Sequence, residues 1–143
     1  MMKNNQRHLW DLVKTARLGQ VEIRSILDTT LGAGLRSTLE GQLREYDSIE
    51  TEAWAMALQR GWDLPQPDPG ACFWKDRVTR MQITGRDTDS RVADLLIRGN
   101  TRGMIRGLKG LHRLEGEDRQ LRILSQKLLD CENAHIRQMQ RFL

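Results

Sequence analysis

The chain has 143 residues, 38% of them hydrophobic and 29% charged, with a formal net charge of +4. One domain of this size buries roughly 68–70% of its unfolded surface, enough for a true core. The mild basic excess permits an acidic partner without requiring one. No apolar run is long enough for a secretory signal or a membrane span, so a cytoplasmic location without membrane contact is expected. The two cysteines, Cys72 and Cys131, form no CxxC pair and no cluster. That argues against a zinc knuckle or a disulfide framework and for two reduced, mostly buried thiols.

In chain order, Leu9, Leu12, Val13, Ala16, Ile23, Ile26 and Leu27 recur at helical spacing and predict a first helix over about 6–31. Gly32 and Gly34 break it. A second helix is expected over about 35–62, with Leu35, Leu39, Leu43, Tyr46, Ile49, Ala53 and Ala57 facing inward. Pro65, Pro67 and Pro69 make 63–70 a linker, because proline lacks the amide hydrogen that a helix interior needs. Phe73, Trp74, Val78 and Met81 predict a short helix over 71–83. A turn at Gly85 to Asp89 follows, with Thr88 or Asp89 as N-cap. The third long helix is expected over 90–114, and the fourth over 118–142 with Leu121, Leu124, Leu128, Cys131, Ile136 and Met139 inward. Four helices of about 25 residues, each roughly 37 Å long, with short first and last connections, predict an all-α antiparallel four-helix bundle carrying a short extra helix.

Polar residues interrupt the inward stripes near mid-helix. Counting about 100° per residue places Gln20, Gln42, Tyr46 and Asn100 on buried faces, with Glu132 and His135 flanking the last one. In an antiparallel bundle these positions share one level. Each unpaired polar group there costs roughly 1–3 kcal/mol, so the layer is expected to bond to itself, to water or to a metal. His8 and His112 fall outside the layer, with no evident partner.

Glu132-Asn133-Ala134-His135 is a Glu-x-x-His sequence, whose spacing sets a carboxylate and an imidazole on one face where they can share a metal. With the helix layout, it resembles the ferritin-like superfamily, nearest to small bacterial ferritin-like bundles of unknown function. That resemblance implies two irons held by glutamates on the first and third long helices and by Glu-x-x-His on the second and fourth. Here Gln20 and Asn100 stand in the first two places. The second helix offers Gln42, Glu45 and Tyr46 with no histidine near. Neutral amides cannot balance the charge of two irons. The expectation is therefore a degenerate, hydrogen-bonded layer with no cofactor. Iron or another divalent metal on Glu132 and His135 is the alternative.

Gly99, Gly103, Gly107 and Gly110 lie inside the third long helix, each costing about 1 kcal/mol relative to alanine. Small residues at this spacing allow close backbone packing, against a neighbouring helix or a second subunit of a homodimer, or leave room for a ligand. Beside them runs a basic stripe of Arg91, Arg98, Arg102, Arg106, Lys109 and Arg113. It is read either as a solvated, ion-paired face or as an anion-binding one. Nucleic acid is the weaker expectation for it, since no aromatic residues interleave. The function expected is that of a non-enzymatic structural or partner-binding bundle. The alternatives are a metal-binding oxidoreductase and a nucleic-acid binder.

Overall fold

The computed structural model describes residues 2–83 and 87–143, and for Phe73 and Trp74 the backbone alone. These residues form helices α1 (Asn4–Leu27), α2 (Ala33–Gln59), α3 (Pro69–Gln82), α4 (Thr88–His112) and α5 (Arg119–Gln140), with no strand among them. All five expected helices are present. Their ends differ from the expectation where caps decide.

The first helix stops at Leu27, four residues early, because Thr29 Oγ1 and the Thr29 amide both turn back onto the Ile26 carbonyl. The second closes at Gln59 rather than Trp62. Gly61 takes a left-handed φ of 65°, its amide reaches the Leu58 carbonyl, and the Trp62 amide reaches Ala57. This pair of bonds satisfies carbonyls that the helix end would otherwise strand. Pro69, assigned by its type to the linker, instead opens α3. The Asp68 side chain accepts from the Gly70 amide at 2.9 Å, and proline loses nothing at a first position whose amide has no partner. The Phe73 and Trp74 side chains and Gly85 lie outside the described residues. At the start of α4 the expected caps fail. Asp87 is the N-cap residue and makes no side-chain capping bond, while Asp89 accepts from the Gly32 amide at 3.3 Å instead. The last helix begins where Asp118 accepts from the Leu121 amide.

One core unites the helices through Leu9, Val13, Ile23, Leu35, Leu39, Ile49, Val92, Leu96, Leu121 and Met139. Leu27, Leu43 and Ile136, expected inward, are only half-buried at its flanks, and Leu129 is buried instead. The closest pairs are α1 with α2 and α4 with α5. Helix α3 lies on α1, and α2 meets α5, whereas α1 and α4 touch sparingly. At one end Asn5 bonds to Glu115 and Asp118, and Arg60 grips Asp118 with two bonds of 2.5 and 2.8 Å. At the other end Arg141 reaches Thr38.

Candidate metal centre and polar core

The residues expected to form one polar layer are buried, but they divide among separate partners. Gln20 donates to Glu50 Oε1 at 2.8 Å and to its own helix at Ala16. Glu50 also receives two bonds from Arg17, at 2.9 and 2.6 Å, and one from Trp54 Nε1 at 2.9 Å. Burial alone would raise the pKa of Glu50. The hydrogen bonds from Arg17, Trp54 and Gln20 and the charge of Arg17 outweigh it and hold the carboxyl below its usual value. Gln42 donates to Gln138 at 2.9 Å across α2 and α5, and the Tyr46 hydroxyl donates to Asn100 Oδ1 at 2.8 Å. Gln20, Gln42, Tyr46 and Asn100 thus bond to separate partners rather than in one layer.

Glu132 and His135 do not face one another. The Glu132 carboxyl rests on Gly103, where a Cβ would stand 2.6 Å from its oxygen, and its Oε2 has no hydrogen-bond partner. Burial pushes its pKa up to about 8, with Arg106 pulling weakly the other way. His135 turns instead to Cys131, one helical turn back, and across to Glu45 on α2. The contacts Sγ–Oε2, Sγ–Nε2 and Nε2–Oε2 are each 3.2 Å. These three residues are the group of His, Cys, Asp and Glu among the described residues whose ligand atoms converge tightly enough for one ion.

The centre of such a triangle lies roughly 1.9 Å from each corner, so an ion just above its plane reaches the ~2.0–2.3 Å of zinc–N, –O and –S bonds. Soft thiolate with imidazole selects zinc-like ions over calcium or magnesium. His135 is fully buried and Glu45 half-exposed, so the site is anchored inside and open outside. Glu45 also lines a shallow groove with Ser37, Thr38, Arg137 and Arg141. Burial lowers the pKa of His135 against the opposing pull of Glu45. Burial, then the bond and charge of Glu45, push the Cys131 thiol well up. Without metal the thiol is protonated and donates to Glu45; a bound cation would have to displace that proton.

The glycines of α4 do not bring a backbone close. Each receives a side chain: Glu22 at Gly99, Glu132 at Gly103, Leu129 at Gly107 and His8 at Gly110. His8, which shows no partner in the sequence, is buried and bonds Ser125 Oγ at 2.9 Å. Ser125 is fully buried inside a helix, which keeps the pair from acting as an exposed nucleophile and base. The basic stripe is likewise not one uniform face. Arg98 pairs with Asp94 at 2.7 Å and Arg91 is engaged, whereas Arg102 and Arg106 line a cleft between α1 and α4. Lys109 and Arg113 line a neighbouring hollow. His112 is exposed at the end of α4.

The sequence marks His135 as a candidate ligand but not the two residues beside it. Cys131 sits four residues before it, a spacing that stacks two side chains on one helix face. Glu45 was visible only as an acid beside Tyr46. Compared with family models, with curated proteins and with solved structures, the chain finds no match. No helix among the described residues is long and apolar enough to cross a membrane.

Proposed function

We propose that this chain is a ferritin-like helical bundle that holds one zinc-class divalent ion between α2 and α5 and serves as a structural or partner-binding protein rather than a di-iron oxidoreductase. The observation that carries the reading is the triangle of Glu45, Cys131 and His135, with sides of 3.2 Å. A carboxylate and a thiolate together cancel the charge of a divalent ion, which is what a mostly buried site requires. An ion bound there would clip the second long helix to the last.

The ferritin-like part of the proposal rests on which helix ends meet. Asn5, Arg60, Glu115 and Asp118 gather at one end, and Gly32, Thr38, Asp89 and Arg141 at the other. That order is up, down, down, up for the four long helices, with α3 in the long connection. Gln20, Gln42 and Asn100, in amide-bonded pairs, argue against two irons at the centre.

Cobalt substitution tests the site. Titration of metal-stripped protein with Co²⁺ is expected to reach one equivalent per chain and to develop thiolate-to-cobalt absorption in the near ultraviolet. That absorption should vanish in Cys131→Ser. A saturable cobalt signal that survives in Cys131→Ser would overturn the assignment.

A further inference from the structure

A second site lies on the other side of the core. Between α1 and α4, where the helices touch sparingly, the protein encloses a cleft of about 370 Å³. The glycines at positions 99 and 103 open its wall, and Tyr46 and Glu132 close its floor. Glu132 is only 2% exposed, and its Oε2 is bonded to nothing. A buried carboxyl oxygen left without a partner carries a desolvation cost that a ligand could relieve.

The charges around the cleft are unevenly spent. Glu22 is neutralised by Lys75 at 2.5 Å. Arg102 and Arg106 line the same cleft and make no ion pair or hydrogen bond among the described residues. The charged groups left without a partner are thus two exposed arginines at the cleft and one acceptor oxygen at depth. Leu18, Ile23 and Leu96 supply apolar wall between them. The amides of both walls are spent inside helices, so no nest of backbone donors offers itself to a phosphate. A guanidinium fork suits a carboxylate, and an isolated buried acceptor suits an N–H donor.

We infer that this cleft binds a small zwitterion of the apolar amino-acid class, its carboxylate held by Arg102 and Arg106 and its ammonium group by Glu132. The ligand enters from the arginine side and sets its side chain against Leu18, Ile23 and Leu96. The cleft shares no ligand with the Glu45, Cys131 and His135 cluster, so the two sites can be tested apart.

Calorimetric titration of metal-stripped protein with three matched probes decides the matter: L-leucine, 4-methylpentanoate and 3-methylbutylamine. Leucine is expected to bind at least tenfold more tightly than either probe lacking one of its charges. Arg106→Gln should weaken leucine at least tenfold, and Glu132→Gln should erase its advantage over 4-methylpentanoate. If Glu132→Gln fails to fold, the exposed Arg106→Gln carries the decision. Equal binding of leucine and 4-methylpentanoate by the wild-type protein overturns the inference. So does the absence of saturable binding by any of the three, or tight leucine binding in Arg106→Gln.

Discussion

His135 Nε2 stands 3.2 Å from Glu45 Oε2, one side chain fully buried and the other half in solvent. The ring is held edge-on against Tyr46, with centroids 5.0 Å apart, so the imidazole has a fixed direction before any ligand arrives. Cys131 shares the same carboxylate oxygen. Two groups converging on one carboxylate oxygen make an arrangement in which a cation could replace the thiol proton, with the imidazole keeping its own proton on Nδ1.

Metal affinity should depend steeply on pH. The Cys131 thiol sits well above its usual pKa and must lose its proton to coordinate. Cobalt affinity measured by absorption is expected to rise about tenfold per pH unit between pH 6 and 8. Affinity that stays flat over this range would exclude a thiolate ligand.

Glu132 makes the metal-free fold less stable in alkali. Its folded pKa of about 8 lies above the unfolded value of 4.5. The stabilising contribution is therefore complete below the unfolded pKa and is lost as pH rises through the folded one. Glu132→Gln should match the wild type near pH 5 and exceed it at pH 8.5, by on the order of a few kcal/mol. Urea denaturation at both pH values measures this.

Glu50 behaves in the opposite sense. Its folded pKa is depressed, so its contribution is present above the unfolded pKa and fades as pH falls through the folded one. Glu50→Gln leaves Arg17 without its charged partner. At pH 7 it should cost about 1–3 kcal/mol in denaturation experiments, and the deficit should shrink in acid.

Two glycine substitutions should differ in sign. Gly41 lies in α2, where an added Cβ meets nothing closer than the end of Arg44 at 3.8 Å. Gly41→Ala is expected to stabilise by roughly 0.5–1 kcal/mol through helix propensity. At Gly103 the same methyl group would stand 2.6 Å from the buried Glu132 carboxyl, so Gly103→Ala should lower the melting temperature despite the same propensity gain.

The helices were legible in the sequence because Leu9, Val13, Leu39, Leu121 and their neighbours keep the helical period without long gaps. Pro69 was misplaced because its role depends on the Asp68 cap beside it, which residue type alone does not reveal. The inward direction of Gln20, Gln42, Tyr46 and Asn100 followed from angular counting. Their partners did not, since helix rotation by a few tens of degrees decides whether Gln20 meets Glu50 or Asn100. Glu45 lies at the edge of the α2–α5 seam, and its role appears only when Cys131 and His135 are set opposite it. The α4 glycines were visible as a stripe, but the side chains they admit come from α1 and α5.

The most direct measurement is the metal content of the purified protein after loading with zinc and removal of excess, compared with that of Glu45→Gln and Cys131→Ser. One zinc per wild-type chain is expected, with most of it lost in both variants. Two metal ions per chain, retained in both variants and lost in Glu132→Gln, would contradict this expectation and return the metal to the centre of the bundle.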